Sequence, residues 1–250
     1  VYFLRRYRRL RKAGGAMSPQ KRLQAAREAT QQGRYDEALQ EFIWFHEHAL
    51  EHQPWLYGLR LSFALGYWIE LANLYPPARE ALEAMRDRKT TALLRGEGKR
   101  PLFHDVVAIN RVLARPDLTH ALIVRLEADY PDLAHECVAL ALPAIVATGD
   151  YALAYRHIPD PTAALKKEGA QLNESIAALE AEAPTLAPRF AAYVQIYCEN
   201  VRMLSAVLHG VGQAEAARVL GESAIELVDS PSAREAVRSL LHRASKDNAE

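Results

Sequence analysis

Apolar residues in this chain recur at three- and four-residue spacing in runs that end at prolines and glycines, the pattern of helices with one buried stripe. Breaks fall near Gly33, Pro54, Pro76-Pro77, Gly96 to Gly98, Pro116, Pro131, Gly149, Pro159 to Pro161, Pro184 to Pro188, Gly210 to Gly212 and Pro231. Proline is excluded from helix interiors and glycine favours helix ends, so about twelve helical segments are expected, joined by connections of a few residues. Short connections make antiparallel neighbours, hence roughly six helix pairs. Ser18-Pro19 supplies an N-cap followed by proline at the first helical position, which opens the first helix of the body. The stretch Leu56 to Leu74 is apolar almost all round and reads as a single, deeply buried helix.

Some of the turns share a local pattern. Gly33-Arg34-Tyr35-Asp36-Glu37-Ala38 and Gly149-Asp150-Tyr151-Ala152-Leu153-Ala154 both read G-x-Y-x-x-A, and Gly212 to Ala217 repeats it with alanine in place of the tyrosine. Each position has a physical reason. Glycine closes one helix, the tyrosine wedges at the start of the next, and the small alanine lets the two helices approach closely. Ala78, after Tyr75-Pro76-Pro77, and Ala121, after Leu118-Thr119-His120, stand in weaker echoes of the same pattern.

On these residues the chain resembles the tetratricopeptide repeat family, whose unit is helix, turn, helix over about 34 residues. The better match runs from about Lys21 to His52, with Ala26, Gly33, Tyr35, Ala38 and Phe42 in family positions; a second runs from about Arg202 to Pro231, with Ser205, Leu208, Gly212, Ala217 and Ala224. Phe45 stands where the family prefers alanine, and the unit at Gly149 is cut short by Pro159 and Pro161, so the remainder is a degenerate α-α repeat. The resemblance implies an α-α superhelix or solenoid whose concave groove binds a peptide or a partner protein.

Composition agrees with an all-α fold. Half the residues are apolar, and 43 Ala and 33 Leu far outnumber 14 Val, 9 Ile and 7 Thr, a bias towards strong helix formers. No apolar stretch approaches the roughly 18 residues that would mark a membrane span. Two isolated cysteines, Cys137 and Cys198, lie in apolar helical surroundings with no adjacent base; they read as core residues and point to a reducing, cytoplasmic setting.

The 31 bases and 31 acids cancel, yet six of the bases (Arg5, Arg6, Arg8, Arg9, Arg11 and Lys12) and none of the acids fall in residues 1–16. Met17, after Ala13-Gly14-Gly15-Ala16, reads as a translation start, so residues 1–16 are expected to be a disordered or artefactual extension. The competing reading is an arm that contacts nucleic acid or an anionic surface through residues 5–12. Residues 17–244 are expected to form the helical repeat domain and 245–250 a disordered tail; the mildly acidic body does not suit a dedicated nucleic-acid binder.

Candidate chemistry is sparse. His48-Ala49-Leu50-Glu51-His52 spells H-x-x-E-H, the motif of inverzincin metalloproteases, which places His48 and His52 on one helix face where they would hold zinc. The alternative function it implies is a zinc-dependent hydrolase using His48, Glu51 and His52, with a third ligand and a base to come from Glu70, His104 or Asp105. The competing reading is a structural second helix of the repeat with Phe42 and Phe45 turned inward. In the Leu56–Leu74 stretch Arg60, Tyr67 and Glu70 form a polar stripe, and an arginine on a sunken element needs a carboxylate partner. His104 and Asp105, expected to open a helix from Phe103 to Ala114, join those three as candidate groove residues. Nucleotide-loop and serine-hydrolase motifs are missing, and Gly96-Glu97-Gly98-Lys99 reads as a helix-helix loop. The expected function is a protein- or peptide-binding scaffold, not an enzyme, and without a cofactor.

Overall fold

The computed structural model describes residues 17–182 and 187–247. The basic arm and residues 248–250 lie outside the described residues; of the expected tail 245–250, residues 245–247 belong instead to the last helix, which runs to Asp247. Every described element is helical: α1 (Pro19–Gln31), α2 (Tyr35–His52), a 3-10 turn (Pro54–Leu56), α3 (Tyr57–Leu61), α4 (Phe63–Leu74), α5 (Pro76–Leu94), α6 (Arg100–Val112), α7 (Pro116–Asp129), α8 (Pro131–Ala147), α9 (Tyr151–His157), α10 (Pro161–Glu182), α11 (Ala187–Gly210), α12 (Ala214–Glu226) and α13 (Pro231–Asp247). No described helix is long and apolar enough to cross a membrane. The described residues divide into two compact units: those up to Arg115 with Arg125–Leu133, and Pro116–Val124 with those from Ala134 onward.

Local chemistry sets the helix ends. Ser18 Oγ accepts the Lys21 N–H at 3.4 Å, and Pro19 takes the first helical position, where its missing N–H costs nothing. Gly33, Gly149 and Gly212 close their helices at φ of 73°, 79° and 80°, the left-handed region where a Cβ is strained. The alanines behind these turns, Ala38, Ala154 and Ala217, are buried, and so is Ala78; Ala121 is exposed, so the echo at Leu118–Ala121 fails. Its neighbours Leu122 and Ile123 carry the buried stripe of α7 instead.

The stretch Leu56–Leu74 is not one helix. Ser62 adopts φ −121° and ψ −94°, which ends α3 and starts α4. A break strands backbone groups, and side chains satisfy them here: Arg111 donates to the Leu61 carbonyl at 3.0 Å and Ser62 Oγ to the Gly58 carbonyl at 2.7 Å. The helix containing His104 and Asp105 also differs from expectation. It begins at Arg100, with Pro101 in its first turn, which puts both residues in the second turn, beyond the reach of the terminal dipole.

In the first unit the helices pack in series. α1 lies against α2 and α4, α2 against α4, α4 against α5 and α6, and α5 against α6. Phe42 of α2 stacks on Trp68 of α4 at 6.1 Å, and the wedge tyrosine Tyr35 meets Tyr75 at 5.7 Å. Tyr75 in turn donates to Asp36 at 2.7 Å, so the starts of two successive second helices are tied together. Around these contacts Phe42, Phe45, Leu56, Leu65, Trp68, Leu82 and Met85 form a core from which water is excluded.

The second unit is organised around one long helix. α11 contacts α9, α10, α12 and α13, and Tyr197 on it donates to the Ala224 carbonyl at 2.7 Å. Cys198 is buried on the same helix and, like the buried Cys137, forms no disulfide. The wedge residue Tyr151 lies on Gly210 at the end of α11, where an added Cβ would overlap the Tyr151 ring. Gly210→Ala should therefore cost about 1–3 kcal/mol by overpacking, measured by urea unfolding, and Tyr151→Leu in the same chain should recover most of the loss. Equal losses in the single and double variants would show that the contact is not the cause.

Candidate functional site

The polar residues singled out in the sequence separate into a buried group and a surface group, both in the first unit. Arg60 sits on α3, and its guanidinium reaches Asp105 of α6 end-on: Nη1 donates to Oδ2 at 3.1 Å and Nη2 to Oδ1. Both side chains are about 6% exposed. Lys89 of α5 donates to Asp105 Oδ2 at 2.6 Å, and Arg60 Nη1 also reaches the backbone carbonyl and the Nε2 of His46, on α2, at 3.2 Å each. Four helices thus converge on one carboxylate.

The protonation states follow from donor counting. Arginine only donates, so His46 Nε2 accepts and the proton of the neutral ring sits on Nδ1, a buried atom with no hydrogen-bond partner. Burial first, and the adjacent Arg60 second, lower the His46 pKa to about 3. For Asp105 burial alone would raise the pKa, but Arg60 and Lys89 together outweigh it and hold the carboxylate below its usual range. With His46 neutral, two cations face one anion and the cluster carries a net positive charge. Next to it Tyr57 OH and His104 Nδ1 lie 3.0 Å apart. Burial, with Arg100 next, lowers the His104 pKa, and burial, with Asp105 next, raises that of Tyr57.

This geometry is a structural tie. Arg60 and Asp105 are joined as an internal pair, His104 is half-buried against Tyr57, and Glu70, at the far end of the expected stripe, is exposed on α4. The break at Ser62 separates Arg60 from Tyr67 and Glu70, so the three do not share a helix face. His46 and Lys89 belong to the cluster although neither is among the residues expected from the sequence. Their positions held the signal: His46 lies four residues after Phe42 and three before Ala49 on the buried stripe of α2, and Lys89 continues Ala78, Leu82 and Met85 on that of α5.

The surface group lies on the outward side of α4. Phe63, Tyr67, Glu70 and Leu74 follow at spacings of four, three and four, which places them within one narrow stripe. Phe63 is 63% and Leu74 60% exposed, and Trp55 in the preceding 3-10 turn is 70% exposed. Arg27 of α1 stacks over the Tyr67 ring at 4.0 Å. Gly66 lies on the same side; a methyl group there would meet nothing within 4 Å. A glycine inside a helix costs about 1 kcal/mol relative to alanine, and no packing within the unit requires it.

His48 and His52 do not converge on a common point with a third ligand. His48 Nδ1 lies 3.0 Å from Glu51, and the rings of His48 and His52 pack on Trp44 at 5.8 and 5.6 Å. Arg22 caps the same indole at 4.1 Å. Among the described residues no group of three or more His, Cys, Asp or Glu side chains is arranged to hold a metal ion. No protein-family model matches the chain, and it has no match among curated proteins or among solved structures.

Proposed function

We propose that the chain is a scaffold of the tetratricopeptide-like helical repeat type that binds a protein or peptide partner in a reducing, cytoplasmic setting, without catalysis and without a cofactor. The observation that carries this reading is the clustering of exposed apolar surface: Trp55, Phe63 and Leu74, the three most exposed large apolar side chains among the described residues, fall within one stretch of twenty residues. Single exposed apolar residues are ordinary, whereas a cluster on a helix beside Tyr67 and Glu70 suits a docking face. Serial packing of α1, α2, α4, α5 and α6, each against its near neighbours in chain order, supports the repeat type.

The test is affinity capture on the immobilised full chain, compared with Phe63→Ala plus Leu74→Ala. Both side chains are exposed, so circular dichroism and melting temperature should stay unchanged while partner retention falls at least tenfold. Retention that survives the double substitution would remove α4 from the binding surface.

A further inference from the structure

The outward face of α4 is self-complementary. Its stripe begins with exposed Phe63 and ends with exposed Leu74; between them lie Tyr67, capped by the Arg27 guanidinium, and Glu70. Neither Arg27 nor Glu70 has an ion-pair partner among the described residues. A second, antiparallel α4 related by a two-fold axis between Trp68 and Ile69 sets Phe63 against the second copy's Leu74. The same axis sets Tyr67, with Arg27 on it, against the second copy's Glu70. Both contacts share one centre, so each occurs twice, as an isologous interface requires. Gly66 lies near the crossing and removes the side chain that would hold the two axes apart.

We propose that this face pairs with a second copy of the chain, giving a two-fold dimer held by Phe63–Leu74 packing and two Arg27–Glu70 ion pairs. The inference rests on α4 being the docking face and names its occupant. α4 has 12 residues and is about 18 Å long, so the shared surface falls short of the roughly 800 Å² per partner of a standard interface. The dimer accordingly falls in the small-interface, transient class.

Sedimentation of the full chain across concentrations from about 2 to 500 μM tests this. Wild type is expected to show a monomer–dimer equilibrium. Glu70→Arg and Arg27→Glu, each placing like charges opposite one another, should raise the dissociation constant at least tenfold, and the two together should return it to within about fivefold of wild type. Gly66→Leu should weaken association to a similar extent without loss of helicity. A wild-type chain that stays monomeric throughout, a dimer indifferent to Glu70→Arg, or a charge swap that does not restore association would each overturn the dimer. The assignment of α4 as the partner-docking face fails separately, when partner capture survives Phe63→Ala plus Leu74→Ala.

Discussion

Replacing Asp105 with alanine should destabilise the first unit by about 3–5 kcal/mol, the largest single-site effect expected in this chain. The carboxylate accepts from Arg60 and Lys89 together, and its removal leaves a guanidinium sealed among α2, α3 and α6 with no counter-charge. The attraction within the pair matters less than the cost of an arginine stranded away from water. Arg60→Met combined with Asp105→Leu should therefore cost less than Asp105→Ala alone, because it removes both members of the most buried pair, fills their space with apolar atoms and leaves only the Lys89 charge, which at 20% exposure is the least sealed of the three. Hydrogen exchange of the amides in α2, α5 and α6, followed with urea unfolding of the full chain, reads this unit directly. A double variant weaker than the single one would mean that the pair itself, and not the stranded charge, stabilises the unit.

Acid should act on the same cluster before it reaches ordinary carboxylates. His46 has a pKa of about 3 in the folded chain against 6.5 when exposed, so between these values the unfolded chain takes up a proton that the folded chain refuses. Stability then rises with pH across that window and is lost as pH falls, by about 1.4 kcal/mol per unit, or roughly 2–3 kcal/mol from pH 6.5 to 4.5. Asp105, whose folded pKa is depressed, adds stability above the usual carboxylate range and loses it as pH falls through its lower folded value, so it acts below His46 and in the same direction. His46→Gln retains an acceptor for Arg60 but no titrating ring. Urea unfolding at pH 6.5 and 4.5 should show a loss in wild type that is largely missing from the variant; equal losses would place the acid sensitivity elsewhere.

Helix boundaries were legible wherever proline or glycine made them. The breaks at Gly33, Pro116, Pro131, Gly149 and Gly212 all fall where backbone chemistry demands them. Ser62 carries no such mark, since its unusual dihedrals are sustained by Arg111, nearly fifty residues away, and a contact of that range leaves no trace in local periodicity. Ala114 is a similar case: it takes φ 54° ahead of Pro116 without the glycine that usually signals such a turn. The candidate site was half-legible for the same reason. A buried arginine announced that a carboxylate must exist, but the choice of Asp105 over Glu70 depends on how α6 approaches α3. His46 and Lys89 kept the buried period of their helices, yet their polarity pointed to the surface, and periodicity was the better guide.

The knot of charge around Asp105 also restricts how this sequence can drift. A change at Arg60 or at Asp105 alone strands a charge away from water, so variants that persist should alter these two positions together or leave both untouched. Surface positions such as Gly66 and Glu70 have no such brake within the monomer, and whatever holds them steady must come from outside the folded chain.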